Sequence, residues 1–296
     1  MKLGRKDYTI SVKTGTDANK AKFKKECVQG EIYHATDTGF FYIAEVTAGA
    51  SDATLSKFGL PPFQNQYSVS FDGTNDHATT DTSVLNFYNT GGSISAWIKP
   101  SSVTATQTSP HLNRSIISKG NVYLSLNINE SGYPSLYFYD GAVREVVAST
   151  QVSTSSWMHI CATWSTTSSA IYVNGTSEAT SSNTPADVSS SQTGGNVYIG
   201  KTQASGIDYF GGLIDELAVW NATLDSNDIS DIYNGGILTD LTQPASYNTD
   251  RTSNLINYWR MGDNDGGTGT TITDQGSGGN DGTLKNGPTF STTVPS

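Results

Sequence analysis

From Tyr67 onward the chain is a succession of short runs in which apolar and polar residues alternate, each closed by a turn residue. Tyr67-Ser-Val-Ser-Phe71 runs into Asp72-Gly-Thr-Asn-Asp76, and Ser93-Ile-Ser-Ala-Trp-Ile98 is closed by Pro100. Ser115 to Gly120, Val122 to Leu126, Ser135 to Tyr139 and Val143 to Val147 follow. Trp157 to Trp164 and Ala170 to Val173 come next, the latter ending on Asn174-Gly175, the strongest short hairpin signal available. A period of two gives each run one face for a core and one for its surroundings, so strands this regular specify an antiparallel sandwich.

The stretch Phe210 to Gly236 organises the rest. Its glycine pair opens a strand in which Leu213 and Asp215 fall on one face and Ile214 and Glu216 on the other; Leu217 to Trp220 is apolar on both sides. Asp225 or Ser226 is placed to cap a short helix carrying Ile229, Ile232 and Tyr233, stopped by Gly235.

The first 65 residues read differently. Tyr8 to Val12 alternates as a strand, and Asn19 to Val28 is Lys-rich and fits helix or strand. Gly30 to Glu45 holds two apolar-rich runs around Thr36-Asp-Thr-Gly39, which reads as a β-hairpin with Ile32, Phe41 and Ile43 available for burial. One hairpin is marginal alone, so it needs a partner surface. Gly59-Leu-Pro-Pro-Phe63 makes a stiff linker.

With 17 basic and 27 acidic residues the net charge is −10, which argues against nucleic acid as a partner. No apolar run approaches the roughly 18 residues of a membrane helix, and the start carries charge without an apolar core, so neither membrane insertion nor a signal peptide is expected. Of the two cysteines, Cys161 lies in an apolar strand and reads as a buried free thiol, not half of a bridge to Cys27.

The ordered set Phe-Asp-Gly (71–73), Ser-Ala-Trp-Ile (95–98), Ile-Ile-Ser-Lys (116–119), Trp-Met-His-Ile (157–160), Ile-Tyr-Val-Asn-Gly (171–175), Tyr-Ile-Gly (198–200) and Gly-Leu-Ile-Asp-Glu (212–216) resembles the laminin-G-like, concanavalin-A-like family from Tyr67 to Gly236. That resemblance implies an all-β jelly-roll sandwich. Leu255 to Met261 and Gly279 to Leu284 also resemble the family; such a Tyr-Trp-Arg segment precedes the Phe-Asp-Gly strand in many relatives, so a partly permuted arrangement is expected. The domains are accordingly 1–65, an attachment or oligomerisation module, 66–240, the jelly roll, and 241–296, an extension packed on it.

The family resemblance also implies a calcium site near the Phe-Asp-Gly turn and the Ile-Asp-Glu strand, carried here onto Asp72, Asp76 and Asp215 with Asn75 as an amide ligand. The bland alternative is that Asp72-Gly73 forms the turn and Asp215 accepts backbone hydrogen bonds. Asp263 and Asp265 have a calcium-loop look but lack the later bidentate Glu, so they read as a surface turn.

A glycoside hydrolase needs two carboxylates on one face. Asp215 and Glu216 are adjacent, and adjacent strand residues point to opposite faces, so no enzyme is expected. His34, His77, His111 and His159 show no zinc spacing, and His159 reads as a hydrogen-bonded structural histidine. Trp97, Trp157, Trp164 and Trp220 lie in apolar strands and belong to a core. Tyr133, Tyr139 and Tyr209 flank turns, and Tyr209 beside Asp208 is the candidate sugar contact.

The Gly-Glu-Ile-Tyr to Phe-Tyr-Ile pattern of the N-terminal hairpin and the Gly/Asp-rich C-terminal extension resemble bacteriophage tail-fibre and virion-surface proteins. That resemblance implies a non-enzymatic virion protein, a capsid decoration or tail fibre, bound to other virion proteins or to copies of itself through residues 1–65 and presenting the jelly roll to a host-surface glycan. The alternative is a free calcium-dependent lectin.

Overall fold

The computed structural model describes residues 12–15, 32–35, 41–45, 54–58, 63–87, 89–103, 114–120, 124–139, 141–185, 195–202 and 209–295. The chain divides into two compact units, Met1–Gln64 and Asn65–Ser296.

In the first unit β1 (Val12–Gly15), β2 (Ile32–Ala35), β3 (Phe41–Glu45) and β4 (Thr54–Phe58) form one sheet in that order. β2 and β3 pair antiparallel with Ile32 opposite Ile43 and His34 opposite Phe41, which is the hairpin read from the sequence. β1 adds parallel to β2, and β4 antiparallel to β3. The turn at Thr36–Gly39, the Lys-rich Asn19–Val28 segment, the linker prolines and Cys27 lie outside the described residues.

The second unit is the antiparallel two-sheet sandwich of the concanavalin-A-like jelly roll. Its strands are β5 (Ser68–Asp72), β6 (His77–Thr80), β7 (Gly92–Pro100), β8 (Arg114–Lys119), β9 (Leu124–Ile128), β10 (Pro134–Tyr139) and β11 (Val143–Val147). β12 (Met158–Trp164), β13 (Ser169–Val173), β14 (Thr176–Ser181), β15 (Val197–Ile199) and β16 (Gly211–Trp220) follow. After the helix α1 (Ser226–Tyr233) come β17 (Leu255–Trp259), β18 (Thr271–Ile272), β19 (Gly282–Lys285) and β20 (Thr289–Ser291). One sheet runs β11-β10-β9-β8-β15-β6-β19-β18; the other runs β14-β13-β12-β7-β16-β5-β20, with β17 pairing the second half of β16. Thus the segments after α1 are built into both sheets, and β20 pairs β5 with Ser291 opposite Ser68.

The inward faces meet in one apolar core. Val69, Ile94, Ile98, Ile160, Trp164, Ile214, Leu217 and Val219 come from the β16 sheet; Ala78, Ile117, Leu126, Leu136, Phe138, Ile199 and Leu284 come from the β15 sheet. A second core lies on the outer face of the β16 sheet, where Ile229 and Ile232 of α1, with Leu241 and Tyr247, cover Cys161, Ala218, Trp220 and Tyr258. Cys161 is a buried free thiol.

α1 forms where the sequence puts its cap. The Asp225 side chain accepts from the amides of Asn227 and Asp228, the Asp228 side chain accepts from the Asp225 amide, and the helix ends with Asn234 in the left-handed region. Asp228, fully buried, also accepts from the Thr249 amide and from Arg251 Nε at 2.7 Å, which fastens the following loop to the helix.

Candidate functional site

On strands whose inward residues are apolar, the alternate residues leave the opposite face. Val197 and Ile199 point into the core, so Tyr198 leaves the outer face of the β15 sheet. Ala78 of β6 is likewise inward, so His77 lies on that same outer face, a diagonal neighbour of Tyr198. Their rings meet edge-on at 5.8 Å between centroids. Lys201 and Tyr209 bridge the two sides of the next connection, and Tyr209 comes within 6.3 Å of His77. The Lys201 ammonium sits 4.6 Å from the Tyr198 centroid and 5.5 Å from that of Tyr209, within cation–π range of both. Asn196 Nδ2 donates to the Tyr198 hydroxyl at 3.0 Å, and Lys285 of β19 lies directly opposite His77.

His77 is buried, and its Nδ1 bonds the Asn75 carbonyl at 3.0 Å; the nitrogen facing a carbonyl carries the proton. Burial lowers its pKa, and the positive charges of Lys201 and Lys285 lower it further against the opposing pull of the Asn75 carbonyl and Asp76, so the neutral ring is favoured at pH 7. Tyr198, Lys201 and Tyr209 are half-buried. The patch therefore offers two ring surfaces, an ammonium and an amide in one place. Of the residues read from the sequence as a sugar contact, Tyr209 is here and Asp208 lies outside the described residues. The apolar–Tyr–apolar alternation at 197–199 was the signal for Tyr198, whereas His77 and Lys201 stand in no pattern that marks them.

The calcium residues do not fit one centre. Asp72 Oδ1 accepts the amides of Thr74, Asn75 and Asp76, and Asp76 Oδ2 accepts the Asp72 amide, so these carboxylates close the turn. Asp72 pairs Gly211, which leaves Asp215 four residues farther along β16, about 13 Å at ~3.3 Å per residue. Asp215 is itself held by Asn65 Nδ2 at 2.9 Å and by the Glu216 amide at 2.8 Å. Among the described residues no group of three His, Cys, Asp or Glu is arranged to hold a metal. Asp263 and Asp265 serve structure too: Asp263 accepts the Gln66 and Tyr67 amides, and Asp265 accepts the Thr273 amide.

The alternation expected at Asp215 and Glu216 is broken. Asp215 pairs Trp97 and Ala218 pairs Ser95, so Glu216 and Leu217 oppose a single residue, and Glu216 takes a positive φ of 47°. This β-bulge returns Leu217 to the inner core and puts both carboxylates on the outer face. They are buried there, Asp215 at 0% and Glu216 at 3% exposure. Burial raises the Asp215 pKa well above the ordinary value, with Glu216 adding to it; burial raises Glu216 to about 7 against the pull of Arg260. Glu216 accepts from Tyr258 Oη and from Arg260 Nε at 3.3 Å, and Arg260 also reaches Asp263 at 2.6 Å.

His159, on the same outer face, corrects a second expectation. It is 1% exposed, its ring tilted against Trp97 at 5.4 Å and stacked on Tyr233 at 6.1 Å, and neither ring nitrogen has a hydrogen-bond partner among the described residues. Trp97, Trp164 and Trp220 are buried as expected, while Trp157 is only half-buried.

The chain belongs to the concanavalin A-like lectin/glucanase superfamily, whose laminin-G-type family model matches residues 72–230. Among solved structures it is similar to a candidate carbohydrate-binding protein from Bacteroides ovatus, at 19% identity over 91% of this chain and 72% of that one, with a TM-score of 0.57. It is also similar to domain 4 of a GH43 extracellular arabinanase from Geobacillus stearothermophilus in complex with arabinotriose, at 16% identity over 65% of this chain and 81% of that one, with a TM-score of 0.46. No curated protein matches the sequence.

Proposed function

We propose that the second unit is a non-enzymatic glycan-binding module whose ligand sits on the patch of Tyr198, Tyr209, Lys201, His77 and Asn196. One observation carries this reading: two half-buried tyrosines converge on a single ammonium on the outer face of a sheet, next to an amide donor. Tyrosine rings stack on the apolar face of a sugar, and the polar groups around them orient its hydroxyls. The carbohydrate-binding assignment of the Bacteroides ovatus protein, which shares the fold, is consistent with it. A non-catalytic role agrees with the burial of Asp215 and Glu216, since a hydrolytic pair must reach a glycosidic bond. The reading calls on no calcium ion.

This keeps the carbohydrate-binding part of the calcium-dependent lectin alternative without its calcium, and it is better supported than the virion role. Presentation on a virion, with residues 1–65 docking the chain to other virion proteins or to copies of itself, rests on the sequence resemblance of the hairpin. Immunogold labelling of particles from the source tests it, and unlabelled particles would remove it.

The glycan reading is tested by a glycan array followed by calorimetry on the full chain and on Tyr198→Ala and Tyr209→Ala. The expected result is binding that each substitution weakens at least tenfold. Variants that bind as well as the parent chain would overturn the site.

A further inference from the structure

We infer that the patch selects glycans carrying an anionic group, a carboxylate or a sulfate ester, and that Lys201 is the residue that selects them. The inference rests on the glycan-binding reading of the same patch. The protein carries a net charge of −10, yet this face brings together Lys201 and Lys285, which both act electrostatically on His77. Among the described residues no carboxylate stands within ion-pair distance of either lysine. Asp76, the acid that acts on His77, is buried in the adjoining turn with its Oδ2 on the Asp72 amide. An arriving anion therefore displaces no carboxylate of the described residues from Lys201.

The ammonium is also pre-positioned. Resting over two rings at 4.6 and 5.5 Å, it has already given up much of the freedom a lysine loses on binding. A neutral sugar would have to share the ring faces with this cation and would gain nothing from its charge. An acidic sugar stacked on Tyr198 or Tyr209 meets the cation with its own charge.

Three probes separate the possibilities on the full chain by calorimetry: a galacturonate tetramer, its fully methyl-esterified form, and a sulfated galactose tetrasaccharide. Binding of one of the two anionic probes at least tenfold tighter than the ester is the expected result, and which one it is identifies the anion. Lys201→Gln should erase that preference, so that the anionic probes bind no tighter than the ester to the same variant, and Lys201→Arg should restore it. An ester that binds as tightly as both anionic probes overturns the inference but keeps the glycan site. A preference that survives in Lys201→Gln overturns the assignment to Lys201. No binding of any probe, together with an empty glycan array, overturns both readings.

Discussion

Asp215 and Glu216 are consecutive residues, and both send their carboxyl groups to the outer face of the same sheet, with Asp215 Oδ1 accepting the Glu216 amide at 2.8 Å. The left-handed Glu216 makes this possible by spending one residue of β16 without a partner on β7. Two buried acids side by side with one guanidinium, that of Arg260, resist full ionisation.

That arrangement fixes the alkaline side of the stability profile. An acid whose pKa is raised on folding holds its proton longer in the folded than in the unfolded chain, so stability falls as pH rises from the unfolded value toward the folded one. For Glu216 the window runs from about 4.5 to about 7, and Asp215 contributes in the same direction. Asp215→Asn, which cannot ionise, should match the parent near pH 4 and exceed it increasingly up to pH 7. Urea midpoints at each pH check this; a difference independent of pH would contradict it.

His159 governs the acid side with the opposite sign. Burial lowers its pKa to about 3, so below about pH 6.5 the unfolded chain binds a proton that the folded one refuses, and stability falls as pH drops toward 3. The rings of Trp97 and Tyr233 pack against it, and Glu216 lines the same small cavity. His159→Phe should flatten the acid limb of the urea profile without lowering the midpoint at pH 7. Unchanged acid sensitivity in that variant would show that other groups control it.

Gly212 occupies a φ of 130°, and a Cβ there would come 2.5 Å from the Lys99 carbonyl and 2.6 Å from Pro100 Cα. Backbone atoms of a central strand cannot yield cheaply. Gly212→Ala should therefore cost about 2–4 kcal/mol in urea unfolding, through strain and steric displacement together. A loss under about 0.5 kcal/mol, the size of an ordinary surface substitution, would mean that β7 moves aside.

Asp228 completes the capping box begun by Asp225 and holds Arg251 and the Thr249 amide from inside the protein. Asp228→Ala removes the cap partner and leaves the partly exposed Arg251 with its longer 3.8 Å pair to Asp225, at an expected cost of about 2 kcal/mol. Hydrogen exchange should report faster opening across α1 and the loop to Asn254 than in the strands of the inner core. Uniform acceleration would show that the helix does not open independently.

Much of the sandwich was legible because its strands keep a strict period of two. Ile94, Ala96 and Ile98 alternate with polar or aromatic partners, and the structure uses them as written. The helix cap at Asp225 was equally local. What could not be read depends on tertiary context. Nothing in Leu-Ile-Asp-Glu-Leu announces a bulge, because the extra residue is accommodated by pairing with β7 over a hundred residues away. The short strands β6, β18 and β20 carry too few apolar residues for a periodicity and exist only because their neighbours complete the ladder. The candidate patch assembles His77 from β6, Tyr198 from β15 and Lys201 and Tyr209 from the bridge that follows it, and of these only Tyr209 stood out beforehand. His159 was expected to have a hydrogen bond because buried imidazoles usually do, and ring contacts with Trp97 and Tyr233 took that place.

The pairing of β20 with β5 makes order of synthesis matter. When Ser68 emerges from the ribosome its final neighbour, Ser291, is still more than two hundred codons away, and β17 and β19 are also pending. Until then β5 and β6 each keep a bare edge where a later segment will dock, so a growing chain is exposed to mispairing for nearly its whole translation. A molecule cut short by a late frameshift would keep every strand up to β16 and still lack the pieces that seal both sheets.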